Sequence, residues 1–319
     1  MYIAQAFKGL HEWWRYLLGL VIVSIAWQVI GGIPFFIAVM VKLLGEGGDI
    51  TNLNESELLS VLEPNLNLFF MLLMFAIGLI ALFVVVKYFH KLPLLNFTTS
   101  RRKIDWKRFW FIFFLWGIIS SSILVVDYYL SPENYVLNFK PVPFLILCVI
   151  AMIMIPLQTS FEEYLFRGYL MQGIGAVVKN KWAPLIITSL GFGLLHIANP
   201  EVDKLGPIIM IYYIGTGLFL GIITLMDDGL ELALGFHAAN NLFTALLVTA
   251  DWTALQTHSV FKDMSDPETM KIAEIIVPVF VIFPILLFIL SKKYKWTNWK
   301  ENLLGTVKEL PKEDYKIIN

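Results

Sequence analysis

The sequence predicts an all-α fold, a polytopic membrane bundle of about eight transmembrane helices, and three observations point there. The 319 residues are 58% hydrophobic and 15% charged, whereas soluble domains run to about half apolar and a quarter charged. Mean hydropathy is +0.71. Apolar blocks follow one another almost end to end, so one membrane domain is simpler than two soluble ones. The formal net charge of −1 gives no reason to expect a nucleic-acid partner. Cys148 is the single cysteine and forms no intrachain disulfide.

A spanning helix needs about 20 mostly apolar residues. Windows that meet or approach this fall at roughly 17–44, 66–86, 109–126, 142–173, 182–198, 206–226, 229–250 and 275–291. In the first of them, Gly31, Gly32 and Pro34 are sites for a kink. No cleavable signal peptide is expected, because that run is far longer than an h-region. The chain thus divides into an interfacial segment 1–16, a transmembrane domain 17–291 with its functional core at about 142–250, and a basic tail 292–319. Basic residues set the orientation. Lys87, Lys91, Arg101, Arg102, Lys103, Lys107 and Arg108 follow the second window, whereas Glu46, Asp49, Glu55, Glu57 and Glu63 precede it. Lys292, Lys293, Lys295, Lys300, Lys308, Lys312 and Lys316 follow the last. Loops rich in Lys and Arg stay cytoplasmic, so both termini are expected there.

Ionisable groups inside a span cost about 2.5–3.5 kcal/mol each on insertion scales, which makes each one a functional candidate. The fourth window ends in Glu162, Glu163 and Arg167; the fifth carries Phe192 and His196; the seventh carries His237, Asn240 and Asn241. Glu163 and Arg167 stand four residues apart on one helical face, while Glu162 lies about 100° around the helix. Arg167 is therefore expected to neutralise Glu163 and leave Glu162 free. A Glu–Arg pair at that spacing is commonly structural. An unpaired carboxylate in a low-dielectric cavity, by contrast, is suited to take up and return a proton. His237 and Asn241 also share a face. Counting about 1.5 Å per residue from the cytoplasmic helix ends lets Glu162, His196 and His237 meet in the cytoplasmic half or the middle of the bilayer. His11, His90 and His258 are expected in solvent or at the interface, and Asp227, Asp228 and Glu231 as turn and helix-start residues.

Taken together, these residues resemble the CPBP intramembrane peptidases, the family that includes the type 2 CAAX prenyl endopeptidase. EExxxR matches Glu162, Glu163 and Arg167; FxxxH matches Phe192 and His196; HxxxN matches His237 and Asn241. The three motifs stand in order, each on its own span. The resemblance implies that Glu162 and His196 activate a water for attack on a peptide carbonyl. It assigns oxyanion stabilisation to His237 and Asn241, and support of the site to Glu163 and Arg167. It leaves two routes open: water activation without a cofactor, or a divalent ion such as zinc held by Glu162, His196 and His237. The implied partners are the lipid bilayer and a membrane-associated peptide or protein substrate. A non-catalytic immunity or binding protein on the same scaffold, or a proton-coupled transporter, is the alternative.

Overall fold

The computed structural model describes residues 1–45 and 61–309. Glu46, Asp49, Glu55 and Glu57 of the acidic connection, and Lys312 and Lys316 of the tail, lie outside the described residues. A helix stands at each apolar window: α1 (Trp13–Gly45), α2 (Pro64–Phe89), α3 (Trp106–Leu130), α4 (Pro141–Val178), α5 (Trp182–Leu195), α6 (Pro207–Asp227), α7 (Glu231–Leu247) and α8 (Ile272–Tyr294). Six of these are long and apolar enough to cross a membrane. The other two are α5, with 14 residues, and α7, with 17, and both fall short of the roughly 20 that a span needs. The helical membrane bundle is thus as expected, while six helices, not eight, are of spanning length among the described residues.

The helices begin and end where local chemistry dictates. The Glu63 carboxylate accepts the free amides of Asn65 and Leu66 at the start of α2, and Asp105 does the same for Lys107 at the start of α3. Pro141 fits the first turn of α4, where no amide partner is needed. Lys179 and Asp228 close α4 and α6 in the left-handed region, with φ of 54° at each. Four stretches widen to π-helix: Ile25–Ile30 just before Gly31, Val85–Phe89, Tyr164–Leu170 and Pro278–Ile282. Such insertions often mark functional positions, and the third directly follows Glu163.

The inner helices pack as α3 on α7, α5 on α6, and α4 against both α2 and α7. Close approach depends on glycine. A methyl group on Gly217 would stand 2.8 Å from the Ser189 carbonyl, and one on Gly235 would stand 2.4 Å from that of Phe109. Trp116, Leu147, Phe219, Phe236 and Phe283 fill the core between them. The outer helices leave large apolar side chains uncovered, among them Val29, Phe36, Phe280 and Phe288. Only 17% of the apolar window of α1 and of α8 is buried, against 44% for α6, so lipid is the solvent for the outer faces.

The two ends of the bundle differ. At one end Arg101 bridges Asp227 and Glu231, Arg108 reaches Asp227, Thr99 pairs with Gly229, and Asn180 pairs with Thr306. The Tyr2 amide donates to Asp228, and Ile3, Ala4, Ala6 and Phe7 are buried there. Asp227 and Glu231 are thus buried ion-pair partners, not merely turn and helix-start residues. His90, expected in solvent or at the interface, is only 2% exposed, because the Leu10 carbonyl and the Tyr169 hydroxyl close over its two ring nitrogens. The opposite end carries a small sheet that the apolar windows do not disclose. It consists of β1 (Tyr135–Leu137), β2 (Val248–Thr249) and β3 (Phe261–Asp263) in the order β1-β3-β2. β3 runs antiparallel to β1, with Val136 opposite Lys262, and parallel to β2.

Candidate functional site

α4 supplies Gln158, Glu162, Glu163 and Arg167, and the last two pair as their spacing predicts. Arg167 Nη1 donates to Glu163 Oε1 at 2.9 Å, and both side chains are fully buried. Its Nη2 donates to the Gly217 carbonyl at 3.0 Å, and its guanidinium lies 4.4 Å from the Phe192 ring centre. Arg167 therefore ties α4 to α6 and α5 while it neutralises Glu163.

Glu162 is free of arginine, as expected, but is not without a local partner. Gln158 Nε2 donates to its Oε1 at 2.5 Å, and Gln158 Oε1 accepts from Asn241 Nδ2 at 3.1 Å. Asn240 donates to Asn241 Oδ1 at 3.1 Å and accepts from Trp116 Nε1 at 3.0 Å. One amide side chain thus fixes both the Glu162 carboxylate and Asn241. Gln158 precedes Glu162 by four residues, the same spacing that discloses the Glu163–Arg167 pair, so a signal for it stood in the sequence.

His237 sits between the two glutamates. Its Nδ1 is 2.7 Å from Glu163 Oε1 and its Nε2 is 3.7 Å from Glu162 Oε2. A carboxylate accepts only, so Nδ1 carries a hydrogen toward Glu163. His196, at the C-terminal end of α5, has Nδ1 2.8 Å from the Phe192 carbonyl. In the neutral ring that leaves Nε2 as a lone-pair acceptor. The His196 ring stacks on Tyr213 with centres 4.4 Å apart and planes 24° apart, a second partner that no motif spacing reveals.

A cavity of about 490 Å³ joins these groups. Glu162, Phe192, His196 and Asn241 line it together with Gln158 and Asn240, whereas Glu163, Arg167 and His237 stand behind the wall. Trp27, Met71 and Phe75 close one side with apolar surface, and Asn199, Thr249 and Thr253 line the other. The 199–201 and 248–263 segments of this wall lie at the end of the bundle opposite the Arg101 network, because α5 and α7 both start beside that network and run away from it. His196 lies 14 residues beyond the first residue of α5, about 21 Å of helical rise. The site therefore reaches toward the end opposite the basic loops.

Among the described residues no group of three or more His, Cys, Asp or Glu side chains is placed to hold a metal ion. His237 Nδ1 is taken by Glu163 and His196 Nδ1 by the Phe192 carbonyl. Those bonds leave Nε2 of each ring as the nitrogen that could ligate, the pattern a metal-bound histidine shows, but Glu162, His196 and His237 are not gathered as a ligand group among the described residues.

Residues 140–243 match the family model described as Type II CAAX prenyl endopeptidase Rce1-like. The uncharacterized protein YyaK of Bacillus subtilis (strain 168) is 28% identical over 243 residues, which cover 76% of this chain and 80% of that protein. No solved structure matches. The matched segment contains every site residue from Gln158 to Asn241, and the chain around it is an integral membrane protein built of apolar helices. The segment that holds the site is thus similar to the Rce1-like type II CAAX prenyl endopeptidases, in agreement with the resemblance drawn from its three motifs.

Proposed function

We propose that this protein is an intramembrane endopeptidase that hydrolyses a peptide bond in a membrane-associated peptide or protein. The observation that carries this reading is that Glu162 and His196, from two different helices, line one cavity, each with an acceptor atom that receives no hydrogen bond among the described residues. Glu162 Oε2 is buried and has no hydrogen-bond partner among the described residues, and Nε2 of neutral His196 is a free acceptor. A water held between them loses a proton to Glu162 as its oxygen bonds to the substrate carbonyl carbon. The tetrahedral oxyanion takes the N–H of Asn241 not used by Gln158, a contact of the kind that commonly contributes several kcal/mol. On collapse the C–N bond breaks, and Glu162 returns the proton to the leaving amine.

His237 acts through Glu162 and not on the oxyanion directly. Its Nδ1 donates to Glu163 Oε1, and its Nε2 stands 3.7 Å from Glu162 Oε2, so the ring braces the wall behind the Glu162 carboxylate. Gln158, Glu163 and Arg167 are positioning residues.

Purified protein in liposomes should cleave a membrane-anchored peptide. Glu162→Gln should lower kcat by at least about a hundredfold, the usual range for loss of a general base, with thermal stability retained. Full activity in that variant would remove the assignment.

The basic end of the bundle is assigned to the cytoplasm by the positive-inside rule, the basic residues after the last helix assign the C-terminus there with the N-terminus, and the cavity then opens toward the opposite side. Single cysteines at Lys103 and Glu133 in a Cys148→Ser background should react with an impermeant reagent from opposite sides. Reaction from one side only would overturn the orientation.

A further inference from the structure

Among the described residues, the acidic and basic side chains that line the cavity are Glu162, Glu201 and Asp263, with no Lys or Arg. Elsewhere this protein pairs its buried acids with arginine, as at Asp227, Glu231 and Glu163. Glu201 and Asp263 are treated differently. Glu201 Oε1 accepts the Ala254 amide at 2.9 Å, while its Oε2 is buried with no hydrogen-bond partner among the described residues. Asp263 Oδ1 accepts the Ser265 amide at 2.8 Å. Neither takes part in an ion pair among the described residues. Lys262, the cation adjacent to Asp263, is engaged elsewhere, with Nζ 2.7 Å from Asp251. Glu162, nine-tenths buried at the cavity wall, adds a third carboxylate with an unpartnered oxygen. Backbone amides thus hold two carboxylates in place along a cavity that contains no fixed positive side chain.

Three carboxylates sharing one partly apolar cavity repel one another, and the interaction is stronger there than in water. A cation that enters relieves the repulsion; an anion adds to it. Trp252, also in the lining, is an aromatic side chain of the kind that attracts an ammonium or guanidinium group. Resting on the peptidase reading, we propose that the cavity takes a peptide with a basic side chain close to the scissile bond, and that Glu201 and Asp263 hold that side chain while the apolar wall at Trp27, Met71 and Phe75 holds its hydrophobic flank. The same field disfavours an acidic side chain at that position. This is discrimination by repulsion as much as by attraction.

The test separates binding from cleavage. The probes are three quenched fluorogenic peptides with one leucine-rich anchor, in phosphatidylcholine vesicles, differing only in Lys, norleucine or Glu two residues from the centre of the scissile segment. Binding is read by fluorescence anisotropy to the full chain carrying Glu162→Gln, so its outcome does not depend on turnover. The Lys peptide should bind about tenfold tighter than the norleucine peptide, and the Glu peptide weaker than both. Adding Glu201→Gln, which keeps the oxygen that accepts the Ala254 amide, or Asp263→Asn, should bring the Lys peptide to within about threefold of norleucine. Asp203→Asn, an exposed acid outside the cavity lining, should leave the tenfold ratio in place. Equal binding of the three peptides, or a ratio unchanged by Glu201→Gln and Asp263→Asn, overturns the proposal. Cleavage by the native chain is read separately: preferential binding without cleavage would remove the peptidase reading and leave the cation site standing.

Discussion

Two clusters of buried charge, one at the basic end of the bundle and one in the site, use the same residue types to opposite effect. At the basic end every carboxylate oxygen of Asp227 and Glu231 is engaged. Asp227 accepts from Arg101, Arg108 and Trp296, and Glu231 accepts from Arg101 and from the Asp105 amide. In the site, Glu162 Oε2, Glu163 Oε2 and Arg167 Nε are buried without a hydrogen-bond partner among the described residues. Satisfied networks rigidify a structure, whereas unsatisfied buried groups cost stability and persist where they serve chemistry. The first cluster joins the N-terminus, the α2–α3 connection and the α6–α7 turn; the second keeps its proton acceptors open.

Breaking the comparison at its most buried point should give the largest effect. Arg167→Ala leaves the buried Glu163 carboxylate with His237 but no arginine and releases the tie to Gly217, which should cost about 3–5 kcal/mol of stability and abolish cleavage. Thermal unfolding in detergent and peptide turnover read the two losses separately. Arg167→Lys should recover part of the stability but not both contacts, since an ammonium cannot span a carboxylate and a carbonyl as the guanidinium fork does. Wild-type stability in Arg167→Ala would show that the pair is not the anchor described.

The next effect in size lies at the other cluster. Arg101→Ala leaves Asp227 with Arg108 and Trp296, but removes the only arginine on Glu231. Loss of charge-assisted bonds of this kind costs about 1.5–3 kcal/mol each. The fall in melting temperature should come with unchanged turnover per folded molecule. A selective loss of turnover, with stability kept, would mean that the two clusters are coupled and that the contrast between them fails.

The sequence made the contrast half visible. Eight apolar windows locate the helices because burial in lipid is a property of a run of residues. The four-residue spacing shows the Glu163–Arg167 pair because both partners share one helix. The same logic extends to Gln158 and Glu162. What no local pattern carries is tertiary. His237 bridges Glu163 and Glu162 across 74 positions of sequence, and Arg101 meets Glu231 across 130. The 14- and 17-residue lengths of α5 and α7 follow from their ends, where the chain turns at His196 and enters β2 at Val248. Windows of hydropathy run through both points. The sheet escapes notice because its strands are two or three residues long, too short for an alternating pattern to register.

The smallest effect sharpens the contrast by adding a third buried polar group, neither ion pair nor site. His90 is enclosed where the chain from Leu10 to Tyr16 folds over the end of α2. Its Nδ1 is 2.7 Å from the Leu10 carbonyl and its Nε2 is 2.8 Å from the Tyr169 hydroxyl. The neutral ring meets both partners, donating through Nδ1 and accepting through Nε2. Burial pulls the His90 imidazole below its ordinary value, with a smaller push in the same direction from Arg15; the Leu10 carbonyl and Glu12 act the other way. The unfolded chain then binds a proton on His90 that the folded chain refuses, over the range below the ordinary value of about 6.5. Stability contributed by the neutral ring is complete above that range. It falls with acidity by at most about 1.4 kcal/mol per pH unit, until the folded ring also takes up its proton. The melting temperature should therefore drop between pH 7.5 and pH 5.5, and His90→Gln, which keeps one donor and one acceptor, should flatten that drop while lowering stability at pH 7.5 only slightly. An equal drop in the variant would place the acid-sensitive group elsewhere, and the end of α2 would then join the satisfied cluster at the basic end as a purely structural contact.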